Sequence, residues 1–459
     1  MSSKKRRLVL GAIYFSFFCF FLTSCSSYNA QTKKFYDYYK VGRTEDAAIE
    51  VTILAEKSDE KDKLLYRLEE GTIKLAASQF EESLIAFNLA EEIIQEKDDS
   101  AKLTARKIAD EIQAVAVNAT VLTYHGTAYD KIMLNSYKSL AYLRNGNITA
   151  AKIELRRAYS RQKEAVEKYA KDIEKSKKDG SDKHIDIESD KYKEKLSAQY
   201  ANLEDYSAYA VYVNPFTVYL DGLLNLASYE DASDLERAKK NFERVGSMLG
   251  SPASLKTEIA LVEKFYKNEK TEPLVFIIVE HGLAPHLVES KMDLFIPVNA
   301  QLEGVLLSGA LPTMEFNISP YASLSANGQK IKLLSNMDAV IATEFKKHLP
   351  IRLTRMLISM AVKAIAQHNA DKRGKGALYL GSILYTALTN RADLRIWRTL
   401  PKEFLFATMP IPKDGKIEFK SKDGSILETI ELESENQLTL LYLKIPSRGS
   451  ISKQIIKLR

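Results

Sequence analysis

The sequence predicts a multidomain chain, all-α in front and α+β behind, with a short leader ahead of both. Three observations carry this. Residues 4 to 7 are all basic and precede an uncharged apolar run from Leu8 to Leu22. From about residue 30 to 270, apolar side chains recur every three or four positions, the helical period. From Pro273 onward, short apolar or alternating runs lie between polar turns, the pattern of strands. The resulting division is a leader over 1–24, a helical part over 25–272 and an α+β part over 273–459.

The leader is the most specific signal. A basic patch followed by about 15 apolar residues is a secretory pattern, too short for a full bilayer span. It ends in Leu22-Thr23-Ser24-Cys25, a leucine and two small residues before a cysteine. That resembles the bacterial lipoprotein box, in which the cysteine thiol receives lipid. Cys19 would leave with the leader, so Cys25 is expected to be the one cysteine of the mature chain. A disulfide framework and a four-cysteine zinc site are thereby excluded. The residue after Cys25 is Ser26 rather than Asp, which resembles an outer-membrane sorting signal. Without the leader, basic and acidic residues number 62 and 60, a balance that gives no reason to expect a nucleic-acid partner.

The helical part contains imperfect self-similarity. Gly42, Ala47, Val51 and Leu54 form one set, and Gly71, Phe80, Ser83, Phe87 and Ala90 a second. Tyr142, Gly146, Ala151, Leu155 and Ala158 form a third, and Gly222, Ala238, Phe242 and Val245 a fourth. Small side chains let two helices of a hairpin approach, and bulky ones fill the space beside them. The spacing predicts degenerate tetratricopeptide-like repeats. Further helices are expected over 101–118, 127–143, 149–176 and 186–212, the last stopped at Asn214-Pro215. In the long helix over 149–176, Ile153, Leu155, Ala158, Ala165 and Tyr169 are expected inward, with Arg156, Arg157, Arg161 and Lys163 outward.

In the rear part, Pro273 to Gly282 reads as a buried strand, followed by strands in KMDLFIPV and LEGVLLSGALPTMEFNI. Ser335 is expected to cap a helix, and Pro350 to start another. Residues 377 to 389 read as a central buried helix. LRIWRTLPKEFLFATMPIP reads as strand, turn, strand, Asp423-Gly424 as a hairpin turn, and LTLLYLKIPS as the last strand.

Two groups of residues are candidates for interaction. Tyr206, Tyr209, Tyr212 and Tyr219 would either line a groove or fill helix interfaces with their hydroxyls reaching out. Arg156, Arg157 and Arg161 form a basic helix face, either a binding patch or plain solvated surface. In the segment around Trp397, strand alternation would place Arg395 and Trp397 on one side for a cation–π pair, with Asp393 in reach. Arg398 follows directly. This patch reads as a structural latch or an interface anchor. His281 and His286, five apart around Pro285, do not make the helical HExxH spacing, and no metal or cofactor is expected. No phosphate loop of Walker or Rossmann type and no GxSxG elbow occurs.

Together, Cys25, the YLRNGNITAAKIELRRAYSRQ stretch, Asn214-Pro215-Phe216 and ADLRIWRTLP resemble a family of bacterial outer-membrane lipoproteins of uncharacterised activity with a helical-repeat front half. The likeness covers about residues 25 to 410. Its Arg-rich helix corresponds to Glu154, Arg156, Arg157 and Arg161, and its Arg-Trp-Arg-like strand to Arg395, Trp397 and Arg398. The resemblance implies location and architecture, with no activity attached. The expected role is a non-catalytic scaffold on the periplasmic side of the outer membrane. It would be held by lipid and engaged with an envelope protein, with a cell-wall polymer as another partner. The alternatives are a cell-wall glycan or peptide enzyme and the binding component of a polymer export system.

Overall fold

The computed structural model describes residues 27–103, 122–182, 197, 199–206, 213–297, 304–372, 391–433 and 437–459. The leader, Cys25, Tyr209, Tyr212, most of the helix expected over 101–118 and the helix expected over 377–389 lie outside the described residues.

An all-helical region leads into a mixed α+β region, and the change falls at Pro273. The helices are α1 (Tyr28–Lys40), α2 (Thr44–Lys57), α3 (Lys63–Ala76), α4 (Phe80–Leu103), α5 (Ala128–Arg144), α6 (Ile148–Asp182), α7 (Pro215–Ala227), α8 (Ala232–Met248) and α9 (Lys256–Tyr266). Their ends follow local chemistry. Thr127 and Asp130 form a reciprocal capping box on α5. Asn214 caps α7, with Pro215 in its first turn. Helix α5 stops where Gly146 takes φ 73°, a left-handed conformation that costs glycine little.

The small-to-large pairing of helices is visible at Gly71. A Cβ there would lie 2.3 Å from the Phe87 ring, so only glycine lets α3 and α4 pack this closely. The Ser83 hydroxyl donates to the Gly71 carbonyl at 2.7 Å across the same contact.

The rear region holds β1 (Leu274–His281), β2 (His286–Pro297), β3 (Gly304–Glu315), β4 (Leu324–Ala326), β5 (Gln329–Lys330), β6 (Lys332–Asn336), α10 (Met337–Lys372), β7 (Glu403–Pro410), β8 (Lys416–Ser421), β9 (Ile426–Glu431), β10 (Leu438–Ser447) and β11 (Ser450–Lys457). One sheet has the order β11-β10-β1-β7-β6, with β1 and β10 parallel and the other pairs antiparallel. A second has the order β5-β4-β8-β9, and β2 and β3 form a long hairpin. Phe276, Ile278, Phe404, Phe406, Leu440 and Tyr442 turn one face of the five-stranded sheet into the helices. Val275, Ile277, Val279, Leu405 and Leu441 turn the other face onto Ile417, Phe419 and Ile430 of the four-stranded sheet. Both faces of β1 are thus covered, which is why its sequence is an unbroken apolar run. The larger cluster runs from Tyr28 through Trp397 to Ile456, so the helices and the five-stranded sheet share one core. A separate apolar cluster joins the β2–β3 hairpin to Leu353, Leu357 and Met360 of α10.

Several expectations are corrected. Pro350 lies inside α10 rather than starting a helix. Asn336, not Ser335, accepts from the Ala339 amide at the helix start; Ser335 donates instead to Asn214. Residues 391–397 form no strand: the Ala392 amide donates to Glu289 of β2, the Arg395 amide to Asp393, and the Arg395 guanidinium to Asp62. Strand β10 is followed by β11, whose SISKQIIK mixes polar residues into a short run. Ile153 is 43% exposed, and Arg161 turns toward Glu91.

Candidate functional site

The segment that carries Arg395, Trp397 and Arg398 runs between α10 and β7 and lies against the front helices. Arg395 donates to Asp393 and to Asp62, each at 2.8 Å, and its guanidinium stands 5.6 Å from the Tyr124 ring. Burial alone would push the Asp393 carboxyl up. The hydrogen bonds and charge of Arg395 outweigh it and hold the group below its ordinary value. Arg395 therefore pairs with Tyr124 and two acids, not with Trp397 as strand alternation had suggested.

Trp397 is fully buried. Its ring lies 5.8 Å from Tyr137 and 6.4 Å from Phe87, and its Nε1 donates to Thr399 Oγ1 at 3.1 Å. Arg398 stacks 3.9 Å over Tyr36 and donates to Thr32 Oγ1 at 2.8 Å. Glu69 of α3 gathers the remaining donors: the Arg398 amide at 2.7 Å, the Thr399 amide at 3.1 Å, the Thr399 hydroxyl and the Tyr28 hydroxyl. Burial raises the Glu69 pKa, and these donors oppose the shift.

Two other buried charge clusters tie elements together. Glu280 on β1 faces Lys444 on β10 at 3.0 Å and accepts from the Tyr442 hydroxyl; burial pushes the Lys444 amine down. Glu91 and Glu154 share Lys138 at 3.4 and 3.1 Å, and Arg161 pairs with Glu91. In each case buried charges meet partners, as the cost of desolvation demands.

The structure places the other candidates as follows. Tyr206 stacks on Phe316 at 4.0 Å between ring centroids. Tyr219 is buried against Phe242 and Phe406, and its hydroxyl reaches Glu258 at 3.3 Å. Arg157 is half exposed and bonds Glu154 at 2.8 Å. Arg156 is exposed on α6. Arg395, Trp397 and Arg398 come together with the front helices, whereas Tyr206 and Tyr219 serve different contacts. His281 accepts from the Tyr321 amide at Nε2, which leaves Nδ1 to donate to Glu403 at 2.8 Å. His286 sits apart, facing Glu315 at 3.2 Å. Among the described residues, no group of His, Cys, Asp and Glu is arranged to hold a metal ion, and no helix is long and apolar enough to cross a membrane.

Sequence reading missed Glu69, Glu91 and Glu280. The available signal was an acid at a core position, as with Glu69 among Leu65, Leu68, Thr72 and Ile73 on the buried side of α3. No family model, curated protein or solved structure matches the chain.

Proposed function

We propose that the chain is a lipoprotein of the bacterial envelope, anchored through Cys25, that acts as an interaction or assembly scaffold. The observation that carries this reading is the junction between leader and body. Cys25 closes a lipoprotein-like box, and α1 begins three residues later with Tyr28 already buried and bonded to Glu69. An acyl chain on that thiol would seat the folded body directly on a bilayer, without a long tether. Two or three acyl chains together hold far more firmly than one. Ser26 favours the outer membrane, with the body facing the periplasm.

The scaffold role rests on the helical half. We read it as a degenerate tetratricopeptide-like array, supported by the Gly71–Phe87 contact and by Gly222 packing against Phe242 in the α7–α8 hairpin. Helical hairpins of this kind present extended surfaces to partners. An envelope protein is the expected partner. The test is Cys25→Ala in cells fed labelled palmitate. The parent protein should carry label at mature size. The variant should be unlabelled, of precursor size, and membrane-associated through its uncleaved apolar run. A soluble variant of mature size would contradict the reading.

A further inference from the structure

Helices α6 and α8 both pack against α7, and their side chains reach one another. Lys152 of α6 bridges to Asp234 of α8 at 3.2 Å, and Asn241 of α8 donates to Asp221 of α7 at 2.7 Å. The two helices carry cations at matched spacing. Arg156 and Lys163 are seven residues apart on α6, and Arg237 and Arg244 are seven apart on α8. At 1.5 Å rise per residue, each pair is separated by about 10.5 Å along its helix.

The four cations form two rungs. The charges of Arg156 and Arg237 both act on Asp221, a half-buried acid of α7 that accepts from Asn225 and Asn241. Lys163 and Arg244 both face Tyr159, at 4.8 and 5.8 Å from its ring centroid. Tyr159 itself is 48% exposed. Among the described residues none of the four cations makes an ion pair. At the second rung two cations thus face one open aromatic ring, and neither has an ion-pair partner among the described residues. An anion seated beside the ring would be attracted by both charges.

We propose that this face of α6 and α8 binds an acidic polypeptide segment of a partner protein, its carboxylates entering at the Lys163–Arg244 rung and its apolar side chains lying on Tyr159. Asp221 already serves the Arg156–Arg237 rung, so the second rung is the one left for an incoming acid. An anionic bilayer fits less well. Exposed Glu164, Glu167, Glu236 and Glu243 stand on the same two helices and would repel a flat negative surface. The inference deepens the scaffold reading and rests on it, but does not use the lipid anchor.

The experiment uses the full-length protein in neutral detergent. Fluorescence anisotropy follows a labelled helical peptide with glutamates two turns apart, and a counterpart with lysines at those places. Phosphatidylglycerol vesicles are tested by flotation. Saturable binding of the glutamate peptide alone is expected. It should weaken at least ~10-fold in Lys163→Glu/Arg244→Glu and with rising salt. Tyr159→Ala should weaken it too, while Lys240→Glu, the same kind of charge reversal at a residue paired with Glu236 on α8, should not. Thermal melting establishes that each variant is folded. Equal affinity in the double variant, or capture by vesicles without peptide binding, would overturn the proposal. Because Cys25 is not involved, such a failure would leave the anchoring question to the palmitate experiment.

Discussion

Glu69 and Thr399 lie 330 positions apart, yet one carboxylate oxygen of Glu69 receives both the amide and the hydroxyl of Thr399, at 3.1 and 2.5 Å. The other oxygen takes the Arg398 amide and the Tyr28 hydroxyl. A single side chain thereby closes the front helices onto the segment before β7. Removing it would strand four donors away from water. Glu69→Ala is expected to cost about 3–5 kcal/mol in chemical denaturation. Glu69→Gln, which keeps the shape and one acceptor, should cost clearly less. Equal losses in the two variants would mean that the side chain acts by volume alone.

Trp397 sits fully buried between Phe87 and Tyr137, inside the same junction. Trp397→Ala should lower stability by about 3–5 kcal/mol, the range for an aromatic removed from a core. Unchanged melting, with loss only of partner binding, would make it an interface anchor instead.

The close approach of α3 and α4 depends on Gly71. Gly71→Ala drives a methyl group into the Phe87 ring and should destabilise by about 1–3 kcal/mol. A smaller residue at 87 should absorb part of that clash, so the losses in Gly71→Ala/Phe87→Leu are expected to fall short of additive. Strict additivity would show that the two positions do not share the contact.

Glu344 of α10 caps α5 by accepting the Ala128 and Tyr129 amides at 2.7 and 3.0 Å. Burial pushes its pKa up from 4.5 to about 7. A carboxyl raised in the folded state contributes stability that is full below its unfolded value and is lost as pH climbs through the folded one. His348, 3.9 Å away, works in the opposite sense. Burial lowers it to about 4, so its contribution grows as pH rises toward 6.5. Comparing Glu344→Gln with the parent protein separates the two. From about pH 5 to about pH 8, the variant should gain on the order of 1–3 kcal/mol relative to the parent. A constant difference across that range would contradict the role given to Glu344.

What could be read from the sequence was set by what is local. Helices such as α5, α6 and α7 and strand β1 announce themselves through periodicity and caps, because each signal lies within a few residues. Asp423-Gly424 marked its hairpin for the same reason. Trp397 was misplaced on a strand because the alternation in LRIWR imitates one. Its real conformation is set by Glu69, Thr32 and Asp62, more than 300 residues away in sequence. Buried acids look like surface acids until their partners are known, which hid Glu69 and Glu280. The basic face of α6 was visible, but not that α8 would bring Arg237 and Arg244 beside it.

Lipid on the Cys25 thiol is what would hold the protein at a bilayer. Mass spectrometry of the amino-terminal peptide from the native protein measures it directly. A chain that starts at Cys25 with acyl mass on its thiol is expected. An intact Met1 end with an unmodified Cys25 would contradict it.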